Sequence, residues 1–415
     1  MKTHSINNIT FGSSIPLSPA LKIAKNLIAI QEGGSGLSHV KFFQDTMTGL
    51  APKAAFARSK ADLCENSFLE LSESLLVYYG TTLLGEKLFR KLFSKGLPET
   101  LKSKISTPAV ELLAKKLPEN KLLMPVKAAL ALSCFAIPLT EFALNYIKNL
   151  MTLKVFKKGN FENIANLDKG LSENTEANKK IERSAKNKIK TAISIFAGCL
   201  GISTLLLKKG ANSKTLQNIS EAVLAPGSKF FKEGSKKADF FNKYFSLDFA
   251  NNNGKLALSK GQLTSCVLVG SVGYFGSAND RGKQNLQEVL FRFPPVGFYI
   301  ICGNELLEHG FKKLLQRFGK CKDVIGKNLE VTKLKDIDAL AQKISFNKNA
   351  DYNEVYKKLL KQKSLLTFVP LLFGIGVMGF FIAGSSRLFT QYRYDRAKTE
   401  STQSDPFANF KAQLK

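Results

Sequence analysis

The chain has 415 residues, a formal net charge of +28 at pH 7 and a mean hydropathy of −0.07. A mean hydropathy so close to zero excludes a chain that is mostly bilayer, so apolar segments must alternate with long polar or amphipathic ones. The charge, carried largely by Lys, leaves nucleic acid and anionic lipid as partner classes. A diffuse Lys coat beside apolar helices suits a headgroup layer better than the Arg forks of base or phosphate readout, so nucleic acid is disfavoured. A genome rich in A and T would produce part of this Lys excess by codon usage alone.

Residues 1–67 read as a basic, partly irregular N-terminal segment. Lys22 and Lys25 break its only early apolar run, which therefore lacks the apolar region of a cleavable signal, and insertion is expected to rely on internal helices. Ser18 and Pro19 fit an N-cap and first turn, after which Leu21, Ala24, Leu27 and Ile28 share one face of a short basic helix.

Residues 68–160 form a first membrane-associated region. Its weakest candidate span is 68–85, interrupted by Glu70 and Glu73; the basic amphipathic stretch 86–96 follows, with Lys87, Arg90 and Lys91 as candidate lipid contacts. The clearer span is 128–147, which Pro138 should kink and in which Glu141 is the only charge. A carboxylate in a span is costly, about 2.5–3.5 kcal/mol, and often faces a cavity or partner. Asn145 and Lys148 follow closely, however, and favour a span that ends near Glu141 at headgroup depth.

Residues 161–190 read as a polar basic linker, and 191–308 as a central membrane region. Its first span, 191–207, is bounded by Lys190 and Lys208. Segments 262–279 and 289–304 are expected to form a hairpin, 262–304, around Asn279-Asp280-Arg281-Gly282. The first arm is rich in Gly and Ser and must pack closely on other helices. The second holds Arg292 and the Pro294-Pro295 pair, whose freed carbonyls require a protein or water partner. Arg292 could pair with Glu288 one turn earlier.

Residues 309–363 read as basic amphipathic helix. In 306–320, Leu307, Phe311, Leu314, Leu315 and Phe318 oppose Lys312, Lys313 and Arg317, the latter three being further candidate lipid contacts. An aromatic stripe, Phe240, Phe241, Tyr244 and Phe245, has the same helical spacing in 237–250. The clearest span is 364–386, uncharged between Lys363 and Arg387. A basic polar tail, 387–415, ends the chain. Gly80–Gly96 and Gly303–Gly319 align without gaps, which suggests an internal repeat.

No motif carries catalysis. Gly374, Gly376 and Gly379 spell GxGxxG but sit inside an apolar run without the preceding strand that dinucleotide binding requires, so they read as close-packing positions, as do Gly379 with Ala383, Ala197 with Gly201 and Gly273 with Ser277. Gly80 and Gly85 have phosphate-loop spacing, but Glu86 stands where the lysine belongs. The six cysteines include no CxxC pair and the three histidines are scattered, so no disulfide framework, metal, cofactor or nucleophilic site is expected. Only Cys64 and Cys321 lie in polar surroundings.

The fold class expected is all-α: a multi-span integral membrane helical protein of about four to six embedded helices, with basic amphipathic interfacial helices. A multi-pass position in a bacterial inner membrane is expected. Two functions compete. The first is a non-enzymatic structural or interaction protein contacting anionic lipid, a protein partner or a second copy. The second is a transporter or channel with Glu141, Arg292, Pro294 and Pro295 lining the path.

Overall fold

The computed structural model describes residues 15–32, 46–76, 90–168, 172–249 and 259–404. Those residues are nearly all helical, and their only β interaction is an isolated bridge between Ile325 and Val331. The chain divides into two compact units, Met1–Leu37 with Leu306–Leu371, and Ser38–Glu305 with Leu372–Lys415. The principal helices are α1 (Pro19–Glu32), α2 (Lys60–Glu73), α3 (Asn120–Ser133), α4 (Ala136–Phe156), α5 (Thr175–Lys209), α6 (Lys214–Leu224) and α7 (Lys236–Tyr244). They continue as α8 (Lys260–Asn279), α9 (Lys283–Phe298), α10 (Asn304–Arg317), α11 (Ile337–Lys348), α12 (Tyr352–Phe373) and α13 (Ile382–Ser404).

The first unit has an ordinary apolar core. Val324, Ile337, Leu359 and Leu360 are fully buried, with Leu315 of α10 and Tyr356 of α12 beside them. In α1, Ser18 accepts from the Leu21 amide (3.4 Å), and Ala24 and Ile28 are buried on the face that the spacing anticipates. Glu32 at its end pairs with Lys363. Of the apolar residues on α10, Phe311 and Leu315 join the core while Leu314 and Phe318 stay exposed. Cys321 is buried in that core rather than lying in polar surroundings, because the chain turns back on itself through a left-handed conformation there (φ 55°).

In the second unit α3 and α6 pack around Leu123, Met124, Ala128, Leu206 and Leu224. The kink in 128–147 falls at Cys134-Phe135, so that Pro138 occupies the first turn of α4, where its missing N–H costs nothing. Helix α5 opens at Asn174, whose side chain accepts from the Glu176 and Ala177 amides; the stretch 175–190 is therefore helix rather than linker. Ser259 and Gln262 form a reciprocal capping box at the start of α8. The turn Asp280-Arg281-Gly282 reverses the chain into α9, with Gly282 at φ 115°, which gives the expected hairpin.

Glycine decides how α8 meets α4. A Cβ on Gly273 would lie 2.8 Å from the Phe142 backbone, and one on Gly276 would lie 2.2 Å from the Tyr146 hydroxyl. Asn149 Nδ2 then donates to the Ser277 carbonyl at 2.9 Å. The Ala197-Gly201 pair does not behave this way, since a Cβ on Gly201 would meet no atom within 4 Å.

Among the described residues, three helices are long and apolar enough to cross a membrane: Asn120–Phe156, Thr175–Asn212 and Tyr352–Glu400. Their surroundings differ, for the most apolar window of the first is 67% buried inside the protein against 17% and 22% for the others. Ile193, Ile195, Ile202 and Leu205 project outward from α5, as do Phe381 and Leu388 from the last helix. Such apolar exposure exceeds what scattered surface residues need and marks a contact surface.

Candidate functional site

Helix α2 is built inside out. Ser59 caps it by accepting from the Asp62 amide (3.1 Å), and Asp62, Glu65, Leu69, Glu70 and Glu73 then fall on one helical face. That face points inward: Asp62, Glu65 and Glu70 are 4–7% exposed, whereas Leu63 and Leu71 are 40% and 38% exposed. The described part of the run that Glu70 and Glu73 interrupt, 68–76, is thus helical, with Glu70 on its inward face.

Each buried carboxylate meets cations from distant elements. Arg281 Nη1 donates to both Glu65 oxygens at 2.6 Å, Lys148 Nζ lies 3.1 Å away, and the Thr152 hydroxyl donates at 2.9 Å. Burial alone would push the Glu65 carboxyl up, but the charges and hydrogen bonds of Arg281 and Lys148 outweigh it and hold it at about 2. Arg58 forms a fork on Glu288 (3.0 and 3.1 Å), and Arg387 lies 3.4 Å from Asp62. Lys53 pairs with Glu70. Glu288 is therefore taken by Arg58 rather than by Arg292, because the turn into α9 points it at the loop before α2.

Beside this charged layer lies a cavity of about 220 Å³. Its walls come from α2 (Glu70, Glu73), α4 (Glu141, Asn145), α8 (Cys266, Gly270, Tyr274) and α9 (Arg292, Val296). Three π-helical segments complete them: Thr46–Leu50 through Thr48, Tyr299–Gly303 through Tyr299, and Gly374–Phe381 through Met378 and Gly379. Such segments interrupt regular helices most often at functional positions. The glycines of the GxGxxG string act here as spacers: a Cβ on Gly379 would lie 2.8 Å from the Thr48 carbonyl and one on Gly374 2.9 Å from the Tyr299 hydroxyl.

Glu141 lines this cavity, and α4 continues well past it to Phe156. Its carboxylate lies against Gly270, where an added Cβ would sit 2.4 Å from Oε1. Asn145 and Lys148, which suggested an interfacial position, are 2% and 5% exposed and face inward. Glu141, Asn145, Lys148, Asn149 and Thr152 form one polar stripe along α4, the signal by which sequence alone could have revealed a buried polar face.

Arg292 also lines the cavity, its guanidinium over the Tyr274 ring at 5.5 Å; among the described residues it has no hydrogen bond or ion pair. Pro294 and Pro295 are inside α9 but exposed, and the helix irregularity that reaches the cavity is the π segment at Tyr299. Lys87 lies outside the described residues, as does most of Gly80–Gly96. Arg90 begins the short helix Arg90–Phe93, and Lys91, Lys313 and Arg317 are exposed, while Lys312 stands 3.7 Å from Glu308.

Three polar atoms of cavity-lining residues are buried without a hydrogen-bond partner among the described residues: Thr48 Oγ1, Asn145 Oδ1 and Tyr274 Oη. Leaving such a group unmatched in the interior costs about 1–3 kcal/mol. Among the described residues no group of His, Cys, Asp and Glu has the arrangement of a metal site. Compared with known proteins, the chain matches no family model, no curated protein and no solved structure.

Proposed function

We propose that this chain is a multi-pass membrane protein that binds a small polar solute in the cavity and carries it across the bilayer, in a bacterial inner membrane. The reading rests on the cavity: a mostly apolar space with charged side chains in its wall, among them Glu141, a carboxylate within a helix of membrane-crossing length. Ionisable groups at such depth ordinarily face a partner or an aqueous path. Buried charges on α2 with leucines outside support the same picture, since lipid rather than water is the solvent that favours that inversion. No catalytic role is proposed.

The test is water access from a membrane. In a full-length chain whose six cysteines are replaced by Ala, Val296→Cys places one thiol in the cavity wall. The carrier reading expects a small charged methanethiosulfonate to modify it in sealed vesicles, and expects Glu141→Gln to lower solute uptake at unchanged abundance. An inert thiol in folded protein would contradict it.

A second reading has its own observation. Lys313 and Arg317 are exposed on the same helix as Leu314 and Phe318, 50% and 68% exposed, a combination suited to an anionic headgroup layer. Lys91 beside exposed Leu92 repeats it. Lys313→Glu with Arg317→Glu should weaken binding of the 304–320 peptide to anionic vesicles while leaving neutral vesicles unaffected; equal binding to both vesicle types by the unaltered peptide would remove this role.

A further inference from the structure

Helix α5 changes character halfway along. Its first half is basic, its second half carries no charge between Lys190 and Lys208, and one outer face runs through both. Arg183, Lys186 and Lys190 follow one another at helical spacing, and Ile193, Ala197 and Gly201 continue the same stripe. All six are exposed, on the side of α5 away from its buried residues Ile181, Ala185 and Ala192. A second helix joins the basic end: Lys154 of α4 and Lys186 both pair with Glu182 Oε1, at 2.9 and 2.7 Å, and Val155 beside Lys154 is 64% exposed. Lys154, Arg183, Lys186 and Lys190 thus meet a single acidic residue, Glu182, where the outer face turns apolar. Lys186 and Lys190 stand one turn apart, about 6 Å of rise. That matches a headgroup layer of about 5–8 Å on each side of the hydrocarbon.

What covers this face must satisfy both halves. Water alone suits the basic half but leaves Ile193, 63% exposed, and the uncharged stretch behind it without an apolar neighbour. A second copy inserted in the same direction would set its own Arg183, Lys186 and Lys190 against these, a like-charge contact. A nucleic acid answers the charge but has nothing apolar for Ile193, Ala197 and Gly201. An anionic phospholipid has both parts in the right order, phosphate at the basic end and acyl chain along the uncharged one. An added Cβ on Gly201 would meet no atom within 4 Å, so an acyl chain has room to lie against the helix there. We infer that this face of α5 binds an anionic phospholipid, its phosphate held by Lys186 and Lys190 with the charges of Arg183 and Lys154 in support, and one acyl chain along Ile193, Ala197 and Gly201. The inference rests on the membrane reading above and is independent of the cavity.

The chain has no Trp, so Ile193→Trp in the full-length protein places a single reporter on this face. The protein is reconstituted into vesicles of phosphatidylcholine and phosphatidylglycerol in which one lipid or the other carries brominated acyl chains. Quenching then reads which lipid lies beside α5. The expected result is a relative affinity for phosphatidylglycerol roughly three-fold or more above that for phosphatidylcholine, lost when Lys186→Gln and Lys190→Gln are added. Phe381→Trp, at an outward position of the last helix, is the reference and should show no preference. Equal quenching by the two lipids at Ile193→Trp would overturn the site, as would a preference that survives both lysine substitutions. The same preference at Phe381→Trp would also overturn it, because a general attraction of a basic chain for anionic lipid would then suffice. The comparison of the two lipids needs only Ile193→Trp, so it stands even if the lysine variant misfolds. If neither lipid quenches Ile193→Trp while Phe381→Trp is quenched, the site falls and the membrane reading stands. If neither reporter is quenched, both fall.

Discussion

Val324, Ile337, Leu359 and Leu360 are sealed inside the unit formed by Met1–Leu37 and Leu306–Leu371, and charged side chains of that unit lie largely outside. Around α2 the order is reversed. Asp62, Glu65, Arg281, Glu288 and Arg387 are buried, while Leu63, Leu71, Leu75 and Leu76 are 38–52% exposed. The same chain thus contains one region with an apolar interior and one with a charged interior. In the first, apolar area removed from water supplies the stability. In the second, charges withdrawn from water must each be matched inside the protein.

The largest effect should come from breaking one of those matches. Arg281 has a side chain that is 0% exposed and makes the 2.6 Å contacts to Glu65. Arg281→Ala leaves a carboxylate with Lys148 alone and should cost about 3–5 kcal/mol, seen as a loss of thermal stability in detergent or lipid. A change below about 1 kcal/mol would mean the buried layer is solvated, and the contrast between the two regions would collapse.

Acid should act through the same group. The Glu65 carboxyl is held at about 2, below its ordinary 4.5, so it contributes stability that is fully present above 4.5 and is lost as pH falls toward 2. The amount is roughly 3 kcal/mol at about 1.4 kcal/mol per pH unit. Thermal unfolding of the intact chain should therefore weaken between pH 4.5 and 2, and Glu65→Gln should begin less stable and respond less steeply to acid. Parallel acid profiles for the two proteins would exclude Glu65 as the source.

Glycines sharpen the comparison at smaller scale. Gly273→Ala forces a Cβ to within 2.8 Å of the Phe142 backbone and should destabilise by about 1–3 kcal/mol, whereas Gly201→Ala meets no atom within 4 Å and should stabilise α5 by about 0.5–1 kcal/mol. Paired thermal melts of the two variants test this. If Gly201→Ala were the more damaging, the outward face of α5 would have a partner helix.

Much of this architecture was legible in the residues. The apolar segments 128–147, 191–207 and 364–386 each fall within one of the three helices of membrane-crossing length, and the hairpin turn and the Ser18 cap are where their residue types require. What escaped was the direction of the polar faces. Glu70 and Glu73 look like interruptions of an apolar run until Asp62 and Glu65 are seen to share their side of the helix, and Lys148 looks like an interfacial anchor until Glu65 is found beside it. Their partners lie far away in sequence: Arg281 is 216 residues from Glu65, and Arg58 is 230 from Glu288. The cavity escaped for the same reason, because its walls are drawn from stretches between Thr48 and Ala383. The Pro294-Pro295 pair misled in the opposite sense, since a local signal for an irregular helix lies on an outward face while the irregularity that shapes the cavity begins at Tyr299.

The central claim is that the outward apolar faces of α5 and of Tyr352–Glu400 meet lipid. Expression of the full chain followed by high-salt and then alkaline carbonate washing of the membranes tests it directly, since salt and alkali strip proteins held by charge but not helices of about 17 or more apolar residues that cross the bilayer. The account predicts that the intact chain stays with the membrane pellet through both washes; recovery of most of it, folded, in the alkaline supernatant would contradict it.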